Sequence, residues 1–90
     1  MNIVIIGSGG REHALCYKLL KSSKINKIYC IPGNAGTDEI ATNIFADIND
    51  FDEIYKIVLK LNVELIVVGP EIPLVNGIVD YFEKKKIKIF

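Results

Sequence analysis

The chain has 90 residues, of which half are apolar and 24% are charged. A chain of this length supports one domain, because it can bury only about 60% of its unfolded surface, and its composition is far from that of disordered segments. Lysine plus arginine and aspartate plus glutamate each number 11, so the basic surplus expected of a nucleic-acid-binding protein is missing. A small anionic ligand fits this balance, since one local site needs only a few donors.

The amino terminus predicts neither a targeting segment nor a membrane span. Residues 3–6 are apolar, but no basic flank precedes them and the run stops at Gly7. We therefore expect a cytoplasmic protein with no membrane partner. Cys16 and Cys30 have neither zinc-ligand spacing nor a secretory context, which predicts two buried, inert thiols.

The first elements of the chain are a strand and a helix. Residues 2–6 are a β-branched run closed by glycine, which is typical of a strand buried on both faces of a parallel sheet. Residues 11–21 have apolar side chains at helical spacing, with lysines on the opposite face. The apolar positions of this helix are Ala14, Leu15, Leu19 and Leu20.

A second strand and a less regular segment follow. Residues 27–31 are β-branched and aromatic, and the cluster of proline, glycine and asparagine at 32–36 predicts a loop. The pattern of residues 37–47 suits either a helical turn or a short strand. We expect a brief third strand near residues 43–45.

The second half of the chain predicts helix, strand, helix and strand in turn. Asp50 and Glu53 have the spacing of a capping box, and one apolar helical face follows: Phe51, Ile54, Ile57, Val58 and Leu61. Residues 64–68 predict a buried strand, and Pro73 marks the first turn of a last helix. The buried stripe of that helix is Leu74, Val75, Ile78, Val79 and Phe82. Residues 87–90 predict a further strand.

The alternation of strands and helices predicts the fold class. It implies right-handed βαβ crossovers and a parallel sheet covered on both faces, which is a doubly wound α/β fold in a single small domain. In such folds the ligand lies beyond the carboxyl ends of the strands, where the strand order reverses. A strand order of 3-2-1-4-5 would place the loops after the first and fourth strands on either side of that crevice.

A glycine-rich turn joins the first strand directly to the first helix, at residues 7–13 (GSGGREH). Free backbone amides and the positive end of the helix dipole favour an anion here, so we expect a phosphate to bind Gly9 and Gly10. The alternative is that Gly7, Ser8 and their neighbours only form a tight turn. Arg11 would clamp a phosphate oxygen or remain solvated.

Three further polar residues have more than one interpretation. Glu12 stands where the dinucleotide fingerprint has its third glycine, and no acidic residue ends the second strand, which disfavours a nicotinamide cofactor. His13, the single histidine, is interpreted as a packed, hydrogen-bonded side chain in preference to a general base. Glu71, in the loop Gly69, Pro70 and Glu71, would accept hydrogen bonds from ribose hydroxyls or an amine, or would be an ordinary first-turn acid.

Three motifs together resemble one enzyme family. Residues 7–14 (GSGGREHA), 32–37 (PGNAGT) and 68–75 (VGPEIPLV), extended by 77–80 (GIVD), are similar in order and spacing to the amino-terminal motifs of phosphoribosylamine-glycine ligases. The resemblance covers essentially all 90 residues. It implies a Rossmann-like domain that precedes an ATP-grasp unit, with Gly33, Asn34 and Gly36 as loop-forming residues of the second motif.

The resemblance also implies a reaction. Such ligases join 5-phosphoribosylamine to glycine in de novo purine synthesis through a glycyl phosphate, with release of ADP and phosphate. It implies that the glycine loop and Glu71 hold phosphoribosylamine, while ATP and Mg²⁺ or Mn²⁺ depend on later domains. We expect residues 1–90 to be the substrate-binding domain without the ATP-grasp and carboxy-terminal domains, inactive unless these are supplied in cis or as a second chain. The alternative is a stand-alone module that binds a nucleotide or sugar phosphate without catalysis.

Overall fold

A five-stranded, wholly parallel sheet forms the centre of the computed structural model, which describes residues 1–90. The strands lie in the order β3-β2-β1-β4-β5, as the doubly wound prediction required. The strands are β1 (Asn2–Gly7), β2 (Lys27–Pro32), β3 (Thr42–Asn43), β4 (Val63–Val68) and β5 (Lys88–Ile89). The helices are α1 (Gly10–Leu19), α2 (Ala35–Ile40), α3 (Phe51–Lys60), α4 (Glu71–Val75) and α5 (Ile78–Lys84). No helix is both long and apolar enough to cross a membrane.

Alternate residues of β1 face two different apolar layers. Ile3 and Ile5 pack in a cluster with Cys16 of α1 and with residues of β2. Val4 and Ile6 pack in a second cluster with residues of α3 and α5. Because β1 is buried on both faces, its residues are apolar throughout. Both predicted thiols are buried in the first layer, as expected.

The helix α1 buries a different face from the predicted one. Ala14 and Leu20 are exposed, whereas Glu12 and Cys16 are buried and Leu15 and Leu19 are partly buried. The prediction chose the wrong face because it counted only apolar residues, whereas the buried face of α1 includes Glu12. The helix α3 follows its prediction: Asp50 Oδ1 accepts a hydrogen bond from Glu53 N at 3.1 Å, and the predicted apolar face packs on the core.

Two segments differ from the prediction. Residues 32–36 are not one loop, because β2 continues through Pro32 after a cis Ile31–Pro32 bond and α2 begins at Ala35. Asn34 caps this unpredicted helix, since its Oδ1 accepts from Thr37 N at 2.9 Å. The third strand exists as expected and spans Thr42–Asn43, so it overlaps the expected range at Asn43 and begins one residue earlier.

The predicted last helix is two helices. Gly77 has a φ of +91°, which side-chain-bearing residues rarely adopt, and it separates α4 from α5. Ile78 and Phe82 of α5 are buried as expected, but Leu74 and Val75 of α4 are exposed. The predicted stripe was therefore wrong for α4. The last strand pairs as predicted, since Phe90 N donates to Ile66 O at 2.9 Å.

Candidate functional site

Three loops converge at the carboxyl ends of β1, β2 and β4. Gly69 N donates to Ile6 O at 2.9 Å, and Gly33 N donates to Gly7 O at 3.1 Å. The strand order reverses next to β1, whose neighbours are β2 and β4. The prediction that the glycine loop and the loop at Gly69 lie side by side is therefore confirmed.

An open cleft of about 460 Å³ lies over this point. Six of the predicted site and loop residues line it, and so do Glu12, Pro32, Ala46 and Ile48, which were not proposed as site residues. The six are Gly7, Ser8, Gly9, Gly10, Arg11 and Pro70. Ala46 and Ile48 come from the segment between β3 and α3. That segment had no clear pattern in the sequence, so nothing there signalled a contribution to the cleft.

Glu12 is the buried acidic side chain of this cleft. It is only 6% exposed, and its Oε2 accepts a hydrogen bond from Gly9 N at 2.8 Å. Its side chain fills the space beside two glycines, because a Cβ on Gly7 would lie 2.5 Å from Glu12 Cγ and one on Gly69 would lie 2.5 Å from Glu12 Cδ. Glu12 therefore packs between the first turn of α1 and the turn after β4. The sequence signalled this residue only as the missing third glycine of the dinucleotide pattern.

The Glu12 hydrogen bond changes which amides are free to bind an anion. Gly9 N is already engaged, whereas the amides of Gly10 and Arg11 belong to the first turn of α1 and have no acceptor in the helix. A Cβ on Gly10 would meet nothing within 4 Å, so the approach to these amides is open. The Arg11 side chain is exposed, and its Nη2 donates to Gly69 O at 3.2 Å.

The second motif supports the glycine loop from beside it. Asn34 Nδ2 donates to Ser8 O at 2.8 Å, and Asn43 Nδ2 donates to Asn34 O at 2.7 Å. The fully buried Thr37 completes this network, because its hydroxyl accepts from Asn34 N at 2.8 Å and donates to Asn43 Oδ1 at 2.7 Å. Asn34 thus fixes the position of the glycine loop without lining the cleft.

His13, Gly36 and Glu71 lie outside the cleft lining. The His13 imidazole packs on Gly36, where a Cβ would lie 2.5 Å from its Cε1, so the glycine permits close contact between α1 and α2. Glu71 is exposed in the first turn of α4, directly after the cleft-lining Pro70. Glu71 therefore follows a cleft-lining residue in sequence without lining the cleft itself, and its carboxylate makes no hydrogen bond within the protein.

The two cysteines are unsuited to chemistry in the cleft. Burial raises the pKa of the Cys30 thiol to about 12 and also raises the pKa of Cys16. A thiol with a raised pKa is a poor nucleophile at neutral pH. The chain also holds no group of three or more histidine, cysteine, aspartate or glutamate side chains that could bind a metal ion.

The fold and the cleft define a doubly wound α/β domain with free helix-terminal amides at its topological switch point. A family model described as "Phosphoribosylglycinamide synthetase, N domain" matches residues 1–90, and the chain belongs to this family.

Proteins named phosphoribosylamine-glycine ligase are similar to the whole chain. The relative from Caldanaerobacter subterraneus is 42% identical over 90 residues, and the one from Listeria innocua is 45% identical over 92 residues. The chain spans 22% of the length of each. A crystal structure of phosphoribosylamine-glycine ligase from Thermotoga maritima matches with a TM-score of 0.58 and 32% identity, over 79% of this chain and 16% of that one.

Proposed function

We propose that this chain is the amino-terminal, substrate-binding domain of a phosphoribosylamine-glycine ligase and that its cleft holds 5-phosphoribosylamine. The observation that carries the proposal is the similarity of all 90 residues to ligases of that name. All three motifs behind this similarity contribute residues to one cleft, and Asn34 of the second motif also supports its glycine loop. The proposed reaction joins the amine to glycine in purine synthesis, at the expense of ATP, through a glycyl phosphate.

The substrate phosphate would bind the amides of Gly10 and Arg11. These amides point from the amino end of α1, where the helix dipole favours negative charge. Gly9 would contribute through its missing side chain and not through its amide, since a Cβ there would lie 2.9 Å from Glu12 Oε2. Pro70 and Gly69 would shape the opposite wall, and Glu71 would reach the ligand from the mouth of the cleft.

ATP and its divalent metal would be held by the remainder of the ligase, in cis or as a second chain. Transfer of a phosphoryl group needs carboxylates and cations oriented around the phosphates, and the residues of this domain do not form such a set. Exposed apolar side chains support a further protein surface: Phe45, next in sequence to the cleft-lining Ala46, is 93% exposed, and Val75 of α4 is 83% exposed. We propose that the remainder of the enzyme covers these side chains, and we expect no nucleic-acid or membrane partner and a cytoplasmic location.

The binding part of the proposal is tested by calorimetric titration of the chain with ribose 5-phosphate. Gly10→Leu should weaken or abolish binding, because it adds a bulky side chain at one of the two residues whose free amides would hold the phosphate. The fold should survive, since no atom lies within 4 Å of the added Cβ. Ala14→Leu is the matched control, because Ala14 is exposed on the same helix outside the cleft.

The alternative function predicts a different ligand preference. A stand-alone nucleotide module would bind NAD⁺ or ATP more tightly than ribose 5-phosphate, and that result would overturn the proposal. The catalytic part is tested by ADP release from ATP, glycine and phosphoribosylamine. Turnover should require the remainder of the ligase, so turnover by the 90-residue chain alone would contradict the assignment of ATP to the remainder.

A further inference from the structure

One carboxylate oxygen in the cleft has no partner in the protein. Glu12 is more than nine-tenths buried, and its Oε2 is occupied by Gly9 N, but its Oε1 accepts no hydrogen bond. Every side-chain oxygen or nitrogen that is shielded from solvent has a hydrogen-bond partner. Because Oε1 has none, solvent reaches it, and Glu12 is one of the residues that line the cleft. The cleft therefore contains a fixed acceptor within a largely desolvated side chain.

The surroundings of Oε1 restrict which ligand group would contact it. A buried acceptor is costly unless a donor pairs with it, and a second anion beside it is repelled. A phosphate therefore avoids Oε1 and binds the amides of Gly10 and Arg11. A ligand that satisfies both features has an anionic group at one end and a hydroxyl or amine donor at the other.

We propose that Glu12 Oε1 accepts a hydrogen bond from the hydroxyl or amine at the sugar end of a ribose 5-phosphate ligand, and that this bond fixes the direction of the ligand in the cleft. The inference rests on the proposed function and adds the residue that distinguishes the sugar end from the phosphate end. Glu12 would then have two roles on its two oxygens. Oε2 positions the glycine loop, and Oε1 recognises the substrate.

Glu12→Gln separates these two roles. The glutamine carbonyl can still accept from Gly9 N, but its amide then presents a donor to the cleft where the carboxylate presented an acceptor. We would titrate wild type and variant with ribose 5-phosphate and with inorganic phosphate, which has the anion but no sugar. Loss of negative charge affects both probes, so the informative quantity is the ratio of their dissociation constants. The preference for ribose 5-phosphate should fall about tenfold, as expected for a hydrogen bond to a charged group.

The control is Glu64→Gln, which removes a negative charge from an exposed site on β4 outside the cleft lining. It should leave the preference unchanged. If the preference is unchanged in Glu12→Gln, as it would be after an equal loss for both probes, the inference is overturned. The proposed function still stands in that case, provided that the wild-type protein binds ribose 5-phosphate. Wild-type protein that bound neither probe would contradict both.

A second measurement needs no variant and covers the case in which Glu12→Gln does not fold. In wild-type protein with ¹³C-labelled glutamate, the Glu12 side-chain carboxyl resonance should shift when ribose 5-phosphate is added and should shift less with inorganic phosphate. The Glu64 resonance is the internal control. A Glu12 resonance that responds equally to both probes would refute a contact with the sugar end.

Discussion

Gly69→Ala tests whether the contact between Glu12 and the turn after β4 is as close as described. An added Cβ would lie 2.5 Å from Glu12 Cδ and 2.8 Å from Glu12 Cγ, and closer still to Oε1. Gly69 does not have a left-handed backbone conformation, so alanine introduces no backbone strain. The whole effect should therefore come from displacement of the Glu12 side chain.

The expected magnitude follows from one lost hydrogen bond. A displaced Glu12 loses its contact with Gly9 N, and a hydrogen bond to a charged group contributes about 1.5–3 kcal/mol. Replacement of glycine by alanine restricts the unfolded chain, which offsets about 0.4–1 kcal/mol of this loss. The net destabilisation should be about 0.5–2.6 kcal/mol. In a domain of this size that lowers the melting temperature by roughly 2–21 °C.

A double-mutant cycle assigns this cost to its cause. Urea unfolding would be measured for wild type, Gly69→Ala, Glu12→Ala and the double variant. Without the Glu12 side chain, Gly69→Ala should no longer destabilise the protein, because the added methyl group meets no carboxylate. The same cost in both backgrounds would refute the described contact. Gly10→Ala is the matched control and should not destabilise, since its Cβ meets nothing within 4 Å.

Three further substitutions test the buried thiol Cys30, the Asn34 cap beside the glycine loop and the exposed Val75 of α4. Burial raises the Cys30 pKa from 9.0 to about 12, so the buried, protonated thiol contributes fully to stability below pH 9. That contribution is lost as the pH rises towards 12, by about 1.4 kcal/mol per pH unit. Cys30→Ala should therefore reduce the slope of the unfolding free energy against pH between 9.5 and 10.5, and an unchanged slope would contradict this. Asn34→Ala should cost about 1–2 kcal/mol and weaken ribose 5-phosphate binding, whereas Asp50→Ala removes a helix cap of similar strength and should leave binding intact. Val75→Lys should leave thermal unfolding of the domain unchanged, because Val75 is exposed. In a pull-down it should weaken association with the remainder of the ligase. Equal association of wild type and variant would exclude α4 from that interface.

The elements that the sequence predicted well are those stabilised by their own residues or by uniform burial. The strands β1 and β4 are continuous apolar runs because the central strands of a parallel sheet are covered on both faces. Asp50 marks the start of α3 because a helix cap is a contact between near neighbours, here with Glu53 N. Such local or uniform signals can be read from one sequence.

The elements that were missed depend on contacts between distant residues. The short helix α2 is held to β3 through the hydrogen bonds of Thr37 and Asn43, which no periodic pattern indicates. Leu74 and Val75 are exposed in α4, and the left-handed Gly77 separates this short helix from α5, whose Ile78 and Phe82 are buried. An apolar side chain is not sufficient evidence of burial when the helix that carries it is only five residues long.

The replacement of a glycine by Glu12 has consequences for both the fold and the proposed ligand. In dinucleotide-binding folds the third glycine lets the first helix approach the sheet closely. Here the space is supplied instead by Gly7 and Gly69, so a side chain fits between the helix and the turn after β4. The resulting carboxylate accepts a hydrogen bond from Gly9 N through Oε2, and its Oε1 has no hydrogen-bond partner in the protein. A pyrophosphate in this position would lose one amide donor and would lie beside a negative charge, whereas a phosphorylated sugar with a free amine or hydroxyl would find a partner for each of its ends. If Glu12 has the role proposed above, the same backbone scaffold would disfavour a dinucleotide and would suit a ligand with one anionic end and one donor end.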